Sequence, residues 1–427
     1  MSAKEFYHKL IPPNLPYLPP ELWQTILREA TFVLSIFDPE LMQSSELSTN
    51  SRDCFKAYKH SLKTRNNLVR VCKAWYTLGL PYLYEYVLLG RARCLIPLLC
   101  ALRQSDSSGE IRAAGWWVRR LDVNLRDESG ESLDAFDTVA DILLFLPNLE
   151  ILTFYITGHA FESLRDKHWG GVLDASRTCA KSLKFLHWYN HNQCLPREAE
   201  LTRFIQAHPA LESLSAPVYT KRDANMSLNA VKNLYVYPYE PHSSASLGLC
   251  ELDLQSVRHA TYRCFDRDPQ PFRRVNKLFF QKIGPQLTSL RLIWSADYNF
   301  ATQGTTLAQC LRDTRDEILH HCNSLERFDL HTHQYHIKQL HFLAFPSTVK
   351  VFGIRLDPVQ TSKQKFHLLV DKIRALLEEY RHVKVLQFLD RGNVRCLRQN
   401  PTVLADCVRA MKDLGVQVQD DEGQSLQ

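Results

Sequence analysis

One pattern constrains this chain more than any other. From Val118 onward a short core of the form apolar-x-x-apolar-x-apolar recurs. The copies are Val118–Leu121–Val123, Leu149–Leu152–Phe154, Leu183–Leu186–Trp188, Leu211–Leu214–Ala216, Val231–Leu234–Val236, Val275–Leu278–Phe280, Leu287–Leu290–Leu292, Leu325–Phe328–Leu330, Val349–Phe352–Ile354 and Val383–Leu386–Phe388. Apolar residues at i+3 and i+5 sit on the same side of a short strand, where side chains alternate. The intervening segments have helical spacing: Thr138 to Phe145, Leu201 to Ala207, and Phe366 to Glu379 with Leu369, Ile373, Leu376 and Leu377 on one face. A strand–helix unit of this size cannot bury its apolar face alone and must stack on copies of itself. The spacing therefore predicts an α/β solenoid over residues 116–416, with parallel strands on the concave side and helices on the convex side.

A second stretch lies ahead of the repeats. Pro19 and Pro20 suit a first helical turn, where the missing N–H costs nothing. Leu22, Trp23, Ile26, Leu27 and Ala30 follow on one face. Leu68, Val71, Cys72 and Trp75 are spaced for a second helix, which Gly79 and Pro81 should stop. Leu80, Leu83 and Val87 continue the apolar pattern after the break, so three short amphipathic helices are expected. The residues between, 31–67, contain a polar run from Gln43 to Asp53 expected as a loop, with Cys54 to Lys63 regaining helix.

Together the blocks "LPPELWQTILREA" and "LVRVCKAWYTLGLPYLYEYVLL" resemble an F-box of the long-insert fungal type, through Leu18, Pro19, Glu21, Leu22, Ile26 and Leu27, and through Leu68, Val71, Cys72, Trp75, Leu80, Pro81, Leu83 and Tyr84. The recurring cores are similar to the irregular leucine-rich repeats that follow F-boxes, though the Asn or Cys expected after each strand is mostly absent. The resemblance implies a substrate-recognition subunit of an SCF-type E3 ubiquitin ligase. The helices would dock a Skp-family adaptor, and through it cullin and RING subunits, while the solenoid holds a protein substrate. It also implies the adaptor contacts: Leu18, Pro19, Leu22, Ile26, Leu27, Leu68, Val71 and Leu83. The competing expectation is a repeat scaffold that never joins a ligase.

The implied organisation is an extended arm at 1–17, the F-box at 18–90 with its insert at about 31–67, a linker helix and turn at 91–115, the solenoid at 116–416, and a polar tail at 417–427 expected to be disordered. The pair Trp116 and Trp117 should seal the open end of the repeats. Tyr235 to Tyr239 fits either strand packing or an interaction surface.

Composition narrows the remaining classes. The net charge is +6 and the arginines are spread along the chain, which does not fit a nucleic-acid binder. Twelve cysteines without regular spacing fit reduced thiols, hence the cytoplasm or nucleus. No apolar run is long enough for a bilayer. No G-x-S-x-G, H-E-x-x-H, P-loop or G-x-G-x-x-G is present, so no enzyme and no cofactor are expected. His320, His321, His331, His333, His336 and His341 lack a carboxylate or cysteine at ligand spacing and are expected as satisfied or surface histidines, not a metal site.

Overall fold

A computed structural model describes residues 18–33, 36–37, 49–107, 113–125, 135–156, 170–190, 198–215, 228, 230–236, 253–264, 270–294, 318–357 and 362–426. The expected arm at 1–17 lies outside them. The chain forms two compact units, residues 1–45 with 51–211 and residues 46–50 with 212–427.

In the first unit, helices α1 (Pro20–Thr31), α2 (Thr49–Leu68) and α3 (Lys73–Tyr84) lead into strand β1 (Tyr86–Leu89). Helix α4 (Leu95–Ser107) follows. Then strands β2 (Arg120–Leu125), β3 (Ile151–Ile156) and β4 (Phe185–Asn190) alternate with α5 (Ala135–Leu143) and α6 (Gly170–Ala175), and α7 (Glu198–Ala207) comes after β4. Within this unit each strand pairs in parallel with the next in chain order.

The second unit repeats the scheme. Its strands are β5 (Ser213–Ser215), β6 (Asn233–Val236), β7 (His259–Cys264), β8 (Ser289–Trp294), β9 (Arg327–His333), β10 (Val351–Asp357), β11 (Val385–Phe388) and β12 (Gln417–Gln419). Its helices are α8 (Gln270–Ile283), α9 (Lys363–Glu379), α10 (Arg391–Arg398) and α11 (Pro401–Asp413). Again every strand pairs in parallel with its successor.

Register shows why the sequence pattern works. Leu121, Leu152 and Leu186 are lateral partners, as are Val123, Phe154 and Trp188. In the second unit the rows run Leu234–Ala260–Leu290–Phe328–Phe352–Leu386 and Val236–Tyr262–Leu292–Leu330–Ile354–Phe388. These residues are buried throughout. The starts of the strands repeat too. Two successive N–H groups donate to one carbonyl of the strand before, as Glu150 and Ile151 do to Arg119, and Lys350 and Val351 to Glu326. Identical local geometry at each step is what a solenoid-like arrangement requires. Turns that lack the expected Asn are tied by other side chains: the Ser182 hydroxyl donates to the Leu149 carbonyl (2.9 Å) and the Ser324 hydroxyl to that of Pro285 (2.7 Å).

Several expectations need correction. Val275, Leu278 and Phe280 are not a strand but part of α8, with Leu278 38% exposed. The strand of that repeat is β7, whose triplet is Val257–Ala260–Tyr262. Strands begin at Tyr86, ahead of residue 116. Of the pair expected to seal the open end, Trp116 is exposed and Trp117 half-buried. Gly79 and Pro81 lie inside α3 instead of ending it; a Cβ on Gly79 would stand 3.0 Å from a Val69 methyl, so glycine there permits close approach. Leu68 ends α2 and Cys72 is extended, so Leu68 and Trp75 do not share one helix.

The polar tail is ordered as far as Leu426. Asp420 accepts hydrogen bonds from the backbone of Glu422 (3.1 Å) and Gln424 (2.8 Å), and Gly423 takes the left-handed conformation the turn needs. The chain then doubles back antiparallel on β12, and Leu426 is buried. Short polar side chains here build a turn, where composition alone suggested disorder.

Candidate helical docking surface

The first surface is built by α1 and α3. The Pro19 carbonyl accepts from the N–H groups of Leu22 and Trp23 and so starts α1. Trp23 and Trp75 meet with their rings tilted and centres 5.3 Å apart, joining the two helices, and the Tyr82 hydroxyl donates to the Gln24 carbonyl (3.0 Å). Ala74, Leu78 and Leu80 turn inward. With this inner face fixed, the opposite side of α1 is left uncovered.

The eight sequence-predicted contacts divide accordingly. Leu22 (49%), Ile26 (44%) and Val71 (57%) are exposed, as is Pro19. Leu18, Leu68 and Leu83 are half-buried. Leu27 is buried and holds α1 to the unit. Leu22 and Ile26, one helical turn apart, share a face. Phe32 and Tyr76 are exposed as well and were not singled out from the sequence; their positions, just after α1 and beside Trp75, are the only signal for them.

The described part of the insert is largely helix α2, and it packs on the strand side of the unit. The Tyr58 hydroxyl donates to the Tyr86 carbonyl (3.0 Å), and the two rings meet tilted, centres 4.4 Å apart, beside Val33, Ile36 and Leu62. Burial pushes the Tyr58 hydroxyl up to about 12. Beyond Tyr86 lies a buried ion pair. Arg120 Nε is 3.0 Å from Asp122 Oδ2, and both side chains are 1% exposed. Arg120 Nη1 also donates to the Ile36 carbonyl (2.7 Å), and its guanidinium lies 5.3 Å from the Tyr86 ring centre.

His187 shares a register row with Thr153 and Asp122. Burial first, and the Arg120 charge second, lower its pKa to about 3. The unfolded chain protonates this histidine near 6.5, whereas the folded one holds no proton there until about 3. The stability this histidine contributes is therefore present above pH 6.5 and is lost as pH falls from 6.5 toward 3. Between pH 7 and pH 5, denaturant titrations should show wild type losing about 2 kcal/mol more than His187→Gln.

The second surface is the polar face of the strands in the second unit. Asp329 is clamped between Arg291 (3.1 Å) and Arg327 (2.9 Å), and Arg327 also donates to Gln387 (2.7 Å). Arg355 pairs with Asp357 (3.2 Å) and approaches Asp390 (3.8 Å). Gly353 is required beneath: a Cβ there would sit 2.2 Å from Asp329 Oδ1. His331 lies buried, and burial together with Arg355 and Arg291 holds it neutral. His333 is also buried, whereas His320 and His341 are exposed. Tyr235 packs in the core, and Tyr237 and Tyr239 lie outside the described residues. Among the described residues no His, Cys, Asp or Glu group could hold a metal, and no helix is long and apolar enough to cross a membrane.

No family model and no curated protein matches the chain. Among solved structures it is similar to a Bacteroides fragilis protein, a structural-genomics target, at 11% identity and a TM-score of 0.34, over 77% of this chain and 81% of that one. A likeness that weak carries no argument.

Proposed function

We propose that the chain is an F-box-type substrate-recognition subunit of an SCF-type ubiquitin ligase, with leucine-rich-repeat-like units behind the docking helices. α1 and α3 take the Skp-family adaptor, which brings cullin and RING subunits. The polar face of the strands takes a protein substrate. The chain does no chemistry of its own; it raises the effective concentration of substrate at a partner's catalytic centre.

One observation carries this reading. Leu22, Ile26 and Val71 remain exposed on a helical unit that buries Leu27, Leu78 and Leu80. Covering the exposed halves of the three side chains contributes on the order of 1 kcal/mol each, and Phe32 and Tyr76 are exposed too. The described part of the insert packs toward β1 and leaves these residues open.

Co-expression with the adaptor tests it. Wild type should co-purify. Leu22→Asp should fold normally, because Leu22 is half exposed, yet lose at least about thirtyfold in affinity by burying an unpaired charge in the complex. Wild type folded but without adaptor would overturn the ligase reading and leave a binding scaffold.

A further inference from the structure

We infer that the long insert positions the docking face, and that Arg65 on α2 is the positioning residue. The inference rests on the adaptor-docking reading above. α1 and α3 are twelve residues each, too short to hold an orientation without tertiary partners. Their C-terminal carbonyls have no partners within the helix. A single guanidinium supplies both: Arg65 Nη2 donates to the Thr31 carbonyl at the end of α1 (3.0 Å), and Nη1 donates to the Tyr82 carbonyl in the last turn of α3 (2.5 Å). Arg65 Nε donates to the Ser61 hydroxyl (3.0 Å), which in turn donates to the Thr31 carbonyl.

The side chain is 3% exposed. Desolvation lowers its pKa, and the nearby Glu85 charge opposes that shift. A cation at two helix C-termini is also favoured by both dipoles. The planar fork of arginine reaches two carbonyls at fixed separation, which a lysine ammonium cannot do. The brace has a foundation. Tyr58 ties α2 to β1, and Arg120 ties β2 to the segment after α1. Thus the insert that separates the two halves of the docking motif braces both of them, beside their direct Trp23–Trp75 and Tyr82–Gln24 contacts, and joins them to the first strands.

The test measures adaptor affinity and amide exchange on the full chain for wild type, Arg65→Lys and Arg65→Met. Arg65→Met should bind at least about tenfold more weakly than wild type at equal folded fraction. Exchange should rise in α1 and α3 while the strands β2 to β4 stay protected. Arg65→Lys should recover part of the affinity only. Arg65→Met affinity within twofold of wild type, or unchanged protection of α1 and α3, would overturn the positioning role. If wild type itself ignores the adaptor, the ligase reading fails, and the exchange comparison still decides whether Arg65 orders the two helices. If Arg65→Met fails to fold, Arg65→Lys carries the same comparison.

Discussion

Asp122→Ala is expected to lower the stability of the first unit by about 4 kcal/mol, because removing one partner strands the other charge where water cannot reach it. Arg120 and Asp122 are each 1% exposed and lie 3.0 Å apart. In the variant Arg120 keeps the Ile36 carbonyl and the Tyr86 ring face, but neither carries a full negative charge. The double variant Arg120→Met with Asp122→Leu should behave differently. Apolar replacement of a whole buried pair is often neutral or stabilising, so the double should be several kcal/mol more stable than Asp122→Ala. Denaturant unfolding followed by Trp fluorescence reads both. A loss under about 1 kcal/mol in the single variant would mean that water reaches the pair.

A comparable loss is expected in the second unit from Phe328→Ala, about 3–5 kcal/mol. The ring is fully buried in its lateral row, stacked at 6.2 Å on Phe352 and 5.6 Å from Phe345. Both neighbours are held by their own strands or rings, so the void cannot close easily. Leu278→Ala is the control. By spacing alone Leu278 holds the same rank in its triplet as Phe328, and a strand there would bury it. On α8 it is 38% exposed and should cost less than about 1 kcal/mol. Equal losses from the two variants would favour the strand assignment over the helix.

That pair of residues also shows how far the sequence could be read. The repeats were legible because stacking demands apolar residues at fixed positions, and the register rows obey that demand. The reading failed at β7, where the strand has Ala260 in place of a large residue. Meanwhile α8 carries Val275, Leu278 and Phe280 by coincidence of spacing. An i, i+3, i+5 pattern does not separate strand from amphipathic helix when only three residues are counted. In α1 the spacing of Leu22, Ile26 and Leu27 marked an apolar face. It could not say which side chains would turn inward. That depends on the packing of α1 against α3, and the polar composition of α2 gave no sign that Arg65 and Tyr58 would reach into the region. Buried polar residues of this kind are set by partners far away in sequence: Thr31 for Arg65, Ile36 for Arg120.

The doubling back of residues 420–426 along β12 has a bearing on solubility. An open strand flank is a template on which a foreign chain can nucleate. Here that flank already has an occupant, with the Leu426 N–H donating to the Val418 carbonyl at 2.9 Å. The molecule's own backbone thereby takes part of the flank on which a foreign strand would have to add.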